Sequence, residues 1–235
     1  MGQTMIGILA GMGPRSSSPF LELVLDQCQI QYGAQFDLDY PPIMMYSLPT
    51  PFYVDKEMDH AVMKGTIIEG LKKLAATGVD FIAMPCNSAH IYFADLKSSI
   101  EVPLLNIVEE TLKCLPGKKQ RVTILAAEAT FNSEVYQQGI IAKGHEFAFK
   151  SSWQPKVDQM IKLIKAKEEM KNIIKYWQEL LDEVAKLEIE SLIIACTDLT
   201  MLNIKNGLNL NIYDSAEALA KSVVKNYICL QGNKG

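Results

Sequence analysis

The stretch Gly78-Val79-Asp80-Phe81-Ile82-Ala83-Met84-Pro85-Cys86-Asn87-Ser88-Ala89-His90 decides how the chain is read. A short apolar run that switches abruptly into Cys-Asn-Ser, followed by helical spacing, predicts a buried strand that delivers its last residue to the mouth of a helix. Cys86 sits at that mouth, and Asn87 and Ser88 are the small polar residues that satisfy the first backbone N–H groups of a helix. The same end of a helix carries partial positive charge, so a thiol there loses its proton more easily than a free cysteine, whose pKa is about 8.5. A second copy follows. Ile189-Glu190-Ser191-Leu192-Ile193-Ile194-Ala195-Cys196-Thr197-Asp198 again runs an apolar strand into a cysteine and a capping residue.

The recurrence extends beyond the two cysteines. At a shift of 110 residues Glu69 falls on Glu179, Leu71 on Leu181, Leu74 on Val184, Ile82 on Leu192 and Cys86 on Cys196. At a shift of 116, Gly7-Ile8-Leu9-Ala10 falls on Thr123-Ile124-Leu125-Ala126, and at 108 Asn106 and Glu109 fall on Asp214 and Glu217. One matching block would mean little, since buried strands are all rich in Ile, Leu and Val. Three collinear blocks with nearly one shift predict two homologous halves. The division expected is 1–116 and 117–235, with the last helix, 214–235, packing on the first half. Two α/β halves related by a pseudo-twofold axis would face their strand ends toward one cleft, with the thiols on opposite walls.

Composition agrees with a globular protein. The 235 residues are 49% hydrophobic with a formal charge of −4, which points away from a nucleic-acid partner. The apolar runs are strand-sized and broken by Gly or Pro, well short of the roughly 20 residues of a membrane span. No signal-peptide pattern opens the sequence, so a cytoplasmic location is expected. Five cysteines without close pairing argue against a disulfide scaffold or a metal site, and Cys28, Cys114 and Cys229 fall on the apolar faces of predicted helices as expected core residues.

Along the chain, Thr4 to Ala10 reads as the first strand, ending in Gly11-Met12-Gly13-Pro14 before a helix from about Pro19 to Tyr32. A strand, a Gly-rich turn and a helix form an anion-binding geometry, or simply a tight turn. The spacing excludes G-x-G-x-x-G and P-loop readings, leaving a small carboxylate as the ligand that fits. Leu48 to Val54 is a Pro-broken apolar loop after the second strand, which either covers a ligand or packs on the body. His90, one turn beyond the capping residues, is either a base for Cys86 or a packed histidine. Thr130 caps a helix predicted to continue to about Ala142 and could offer its hydroxyl to a ligand. Lys156 through Lys175 reads as one or two amphipathic helices with solvated lysines.

With both cysteine motifs, Gly11-Met12-Gly13-Pro14 and Thr130-x-x-Ser133-x-x-Tyr136 in place, the chain resembles the aspartate/glutamate racemase family over nearly its whole length. The branch it resembles most is the cofactor-independent aspartate racemases. The resemblance implies two flavodoxin-like halves, each a mostly parallel sheet flanked by helices, with an active-site cleft between them and no pyridoxal phosphate or other cofactor. It implies an isomerase that interconverts the enantiomers of an acidic amino acid, with Cys86 the base for the D-enantiomer and Cys196 for the L-enantiomer. Met12, Asn87, Ser88, Thr130 and Thr197 would hold the substrate, with Ser16, Lys165 and Lys167 as further candidates. A homodimer with a small-molecule substrate and no membrane partner is the expected setting. Aspartate-specific relatives place an arginine in the loop after the second strand, whereas residues 48–54 here have none, so Arg15, Lys156, Lys165 or Lys167 is left to meet a side-chain carboxylate. Two other readings share the scaffold: a one-thiol isomerase or decarboxylase, and a two-lobed binding protein without catalysis.

Overall fold

The computed structural model describes residues 3–51, 58–202 and 210–234. The chain divides into two compact units, Met1–Ile107 with Leu219–Gly235, and Val108–Ala218. The fold is α/β: each unit is built on a parallel sheet flanked by helices.

In the first unit β1 (Ile6–Ala10) leads through α1 (Ser17–Tyr32) to β2 (Ile43–Ser47), and α2 (His60–Ala75) leads to β3 (Phe81–Ala83). The order is β2-β1-β3, and a bridge from Ile82 to Leu104 adds a fourth parallel position beside β3. All five residues of β1 are buried, as a strand covered on both faces must be. Helix α2 starts where the Asp59 carboxylate accepts hydrogen bonds from Ala61 N (2.9 Å) and Val62 N (3.0 Å). Such a cap is worth about 1 kcal/mol. Its buried face is Met63, Ile67, Leu71 and Leu74, the three-and-four spacing visible in the sequence. After β3 come a tight 3-10 turn over 88–92 and α3 (Phe93–Ser98), and α4 (Ile107–Lys113) starts at the last residue of this stretch, with Val108 onward in the second unit.

The second unit repeats the plan with β4 (Arg121–Ala126), α5 (Glu128–Asn132), α6 (Val135–Ala142), β5 (Glu146–Phe147), α7 (Gln154–Lys165), α8 (Met170–Ala185), β6 (Ser191–Ala195), β7 (Asn211–Asp214) and the start of α9 (Ser215–Lys234), whose residues from Leu219 on belong to the first unit. Its order is β5-β4-β6-β7. With the Leu104 bridge counted, both sheets share the order second, first, third, fourth, which is the flavodoxin-like arrangement.

Strand register is an independent check on the internal repeat. Ile6 pairs with Phe81 in the first sheet, and Val122, 116 residues on, pairs with Ser191, 110 residues on, in the second. The bridge Ile82–Leu104 has its counterpart in Leu192–Ile212, at offsets of 110 and 108. The three shifts read from the sequence are those of the hydrogen-bonded pairs.

Several local expectations are corrected. The single helix expected from Thr130 to Ala142 is two, broken where Glu134 adopts a left-handed backbone with φ of 58°. The apolar pattern of 146–151 reads as one strand, but the strand stops at Phe147 and 151–153 is already helical. Cys28 is buried, but Cys114 and Cys229 are exposed, so two of the three are not core residues. Phe52 to Val54 of the Pro-broken apolar loop lie outside the described residues. Among the described residues no helix is long and apolar enough to cross a membrane.

Candidate active site

In an open parallel sheet, ligands bind beyond the carboxyl ends of the strands where successive connections leave in opposite directions. Here that point lies between β1 and β3 in the first unit and between β4 and β6 in the second, because β2 and β5 lie on the other side of the first strand. The sequence candidates fall at these two places. Met12 and Ser16 follow β1, while Cys86, Asn87 and Ser88 follow β3; Thr130 follows β4, while Cys196 and Thr197 follow β6.

In the first unit, Met12 and Cys86 are both partly buried and pack on one apolar cluster that includes Leu9, Ile82, Met84 and Ala89. Met84 and Cys86 form a sharp turn, with Cys86 N donating to Met84 O at 2.8 Å. Asn87 is buried and immediately precedes the 3-10 turn, and Ser88 is its first residue. Instead of the α-helix expected to start there, the chain makes this tight turn before α3. Its hydrogen bonds are less well aligned than those of an α-helix, so the dipole at Cys86 is weaker than a long helix would supply.

The Gly-rich turn after β1 has a structural cause. Gly11 has φ of +94°, and a Cβ there would lie 2.5 Å from Leu48 N and 2.6 Å from Leu48 O. The close approach is to the chain leaving β2, so this glycine is required by packing. Ser16 is buried and its Oγ donates to Gly13 O at 2.8 Å, while Arg15 is exposed.

His90 is buried, and its ring stacks on Phe93 with centroids 5.6 Å apart. Nδ1 lies 2.8 Å from Cys86 O, and the Ile107 amide donates to Nε2 at 3.3 Å. A carbonyl can only accept, so Nδ1 carries a hydrogen that it donates to Cys86 O, and Nε2 also lies 3.3 Å from Leu105 O. Both ring nitrogens are thus engaged with main-chain groups, one of them on the cysteine itself.

In the second unit Cys196 directly follows β6, is partly buried and packs on a cluster that includes Leu125, Trp153, Leu192 and Leu199. Thr197 opens a 3-10 turn over 197–202. Asp198 is nearly buried in that turn and pairs with Lys165 of α7 at 2.9 Å. Lys165 is therefore paired with a residue of the turn that follows Cys196, whereas Lys167 is exposed in the turn after α7, with φ of 59°. Lys156 is engaged with Glu183 at 2.5 Å. Thr130 is fully buried, inside α5 and not at its cap, and its carbonyl accepts Ser133 Oγ at 2.7 Å.

A carboxyl that the sequence did not single out lies one hydrogen bond away from the second thiol turn. Asp214, 3% exposed, ends β7, and its Oδ1 accepts from Ala216 N (2.7 Å), Glu217 N (3.2 Å) and Thr200 Oγ1 (3.2 Å). Its Oδ2 is buried without a hydrogen-bond partner. Burial, with the nearby Glu217 charge adding to it, pushes the carboxyl up to about 7. The signal for Thr200 was present in the sequence, since it stands four residues after Cys196 as His90 stands four after Cys86.

The sequence profile described as Asp/Glu/hydantoin racemase matches residues 9–223. The chain belongs to the Asp/Glu/hydantoin racemase family. As a racemase it is an isomerase. It is 45% identical over 227 residues to the broad specificity amino-acid racemase RacX of Bacillus subtilis, covering 97% of this chain and 100% of that protein. The aspartate racemase of Picrophilus torridus superposes with a TM-score of 0.78 at 25% identity, over 95% of this chain and 94% of that one. An aspartate racemase homologue from Pyrococcus horikoshii shares the fold with a TM-score of 0.79 at 21% identity, over 96% of this racemase and 100% of that chain.

Proposed function

We propose that the protein is a cofactor-independent amino-acid racemase in which Cys86 and Cys196 serve opposite faces of one Cα. Inverting a stereocentre by proton transfer requires removing hydrogen from one face and returning a proton to the other. One base cannot easily reach both faces, whereas a thiolate and a thiol can share the task. The thiolate takes the α-proton, the electron pair is held on the substrate carboxylate side, and the opposite thiol delivers its proton and becomes the thiolate. The roles are then reversed for the other enantiomer. Donors at Asn87, Ser88, Thr197, Met12 and Thr130 are the candidates for holding the α-carboxylate as charge builds up on it.

The observation that carries this reading is the duplication. The same register position of the third strand in each unit leads to a partly buried cysteine, at an offset of 110, beyond the edge of the sheet where ligands bind. Two structural cysteines would not need this matched placement. The contrast with Cys28 supports it, because that thiol is buried in α1 and burial pushes its pKa up.

We further propose a substrate range wider than aspartate and glutamate. The lysine beside the second thiol turn is paired with Asp198, Arg15 is exposed, and the 48–54 loop has no arginine. A site built for an acidic side chain would hold a cation for it. The similarity to a relative named for broad specificity points the same way. The test is a panel of L- and D-amino acids, neutral, acidic and basic, incubated in deuterated buffer without added cofactor. Exchange of the α-hydrogen across several side-chain classes is expected. Exchange of aspartate and glutamate alone overturns the range, and exchange of none overturns the function.

A further inference from the structure

We propose that the residue four places after each cysteine is a positioning residue, which latches the thiol-bearing turn to the start of the helix that follows the fourth strand position of its unit. In the first unit the latch is His90, whose ring joins the Cys86 carbonyl to the amide of Ile107, the first residue of α4. In the second it is Thr200, whose hydroxyl donates to Asp214, and the same Asp214 oxygen accepts the amides of Ala216 and Glu217 in the first turn of α9. The two latches occupy equivalent places. Thr200 follows His90 by 110 residues, Asp214 and Ser215 follow Asn106 and Ile107 by 108, and these are the offsets of the paired strands around them.

The reason for such a device lies in the turns themselves. Each cysteine is followed by a short 3-10 segment, whose hydrogen bonds are less well aligned than those of an α-helix, a poor support for a thiol whose proton must travel along one line. A side-chain bond from the next turn to a helix start anchored in the sheet restricts that segment. One carboxyl oxygen accepting three bonds ties the turn to the helix start at several points, although the other oxygen is buried without a partner. A simple helix cap would sit at the surface, where both oxygens are solvated. The groups facing Asp214 are Glu217 of α9, Tyr136 of α6 and Thr200 of the thiol turn.

This inference rests on the proposed roles of the thiols, and its test separates the two. Thr200→Val removes the donor at nearly constant shape, Thr200→Ala removes it with less bulk, and Thr200→Ser keeps it. Full-length wild type and variants are treated with iodoacetamide, and alkylation of the Cys86 and Cys196 peptides is followed by mass spectrometry. Loss of the hydroxyl is expected to change the Cys196 rate by about fivefold or more in both the Val and Ala variants, with Cys86 within about twofold and Thr200→Ser close to wild type at both sites. Where racemisation is measurable, kcat falls by about tenfold in the Val variant with KM little changed. An unchanged Cys196 rate in the variant that folds, an equal change at both cysteines, or an equal change in the Ser variant overturns the proposal. Alkylation reads the thiol whether or not any amino acid is racemised, so a chain without racemase activity would sink the functional reading and leave the latch to be judged on its own.

Discussion

The two cysteine turns sit at matching positions of their sheets and differ in what surrounds them. Both leave the third strand of a parallel sheet at the same register, and both are secured four residues later. Around Cys86 the support is an imidazole ring bonded to main chain. Around Cys196 it is built on acidic groups: a hydroxyl on the buried Asp214, with Asp198 of the same turn paired to Lys165 of α7. Duplication of a sheet fixes where a residue emerges, because register is set by hydrogen bonds along whole strands. It does not fix the side chains that hold it, and these have diverged.

The largest effect that probes this comparison comes from the thiols. Cys86→Ser and Cys196→Ser are each expected to lower racemisation by about 10²- to 10⁴-fold. Since enantiomers have equal free energy, kcat/KM must fall by the same factor in both directions in each variant. Retention of full activity by either variant would show that the copies have different duties and that one thiol suffices.

Next comes the charge on only one side. Asp214 is held up to about 7, so between about pH 4 and pH 7 the folded chain binds a proton that the unfolded chain releases. Stability therefore falls as pH rises through that window. Asp214→Asn, which keeps the capping oxygen and cannot titrate, should gain on wild type over the same range by up to about 3 kcal/mol, read from urea unfolding at the two ends. Parallel pH curves would remove the asymmetry. Lys165→Met leaves the nearly buried Asp198 without its partner and should cost about 1–3 kcal/mol, most of it regained in the double variant with Asp198→Asn. A failure of the second change to rescue would mean that Lys165 acts through something other than this pair.

Much of the architecture could be read before the structure. The offsets 116 and 110 came mostly from matching apolar residues and 108 from the polar pairs Asn106/Asp214 and Glu109/Glu217, and they reappear as Ile6–Phe81 against Val122–Ser191 and Ile82–Leu104 against Leu192–Ile212. Such patterns survive because buried strands must stay apolar. The break at Glu134 was hidden, since a single left-handed residue leaves no mark on an apolar periodicity. Exposure of Cys114 and Cys229 was missed because a small thiol is tolerated on either side of a helix. The latches were hidden for another reason: His90 reaches 17 residues to Ile107 and Thr200 reaches 14 to Asp214, contacts that only the fold creates. Gly11 was legible as a special position, but its cause, the main chain of Leu48, was not.

The smallest effect expected is at the exposed cysteines. Cys114→Ser and Cys229→Ser should leave turnover within about twofold of wild type, since surface substitutions away from special features stay within about ±0.5 kcal/mol. A large loss at either would mean that a thiol outside the duplicated pair takes part.

The central claim is that two thiols address one carbon from opposite faces. Its most direct test is the fate of the label when a single enantiomer turns over in deuterated water, with product and recovered substrate separated during the first few turnovers. The account predicts deuterium at Cα of the newly formed enantiomer while the recovered substrate stays largely unlabelled. Deuterium entering the recovered substrate as fast as the product would mean one base returning protons to both faces, and would contradict it.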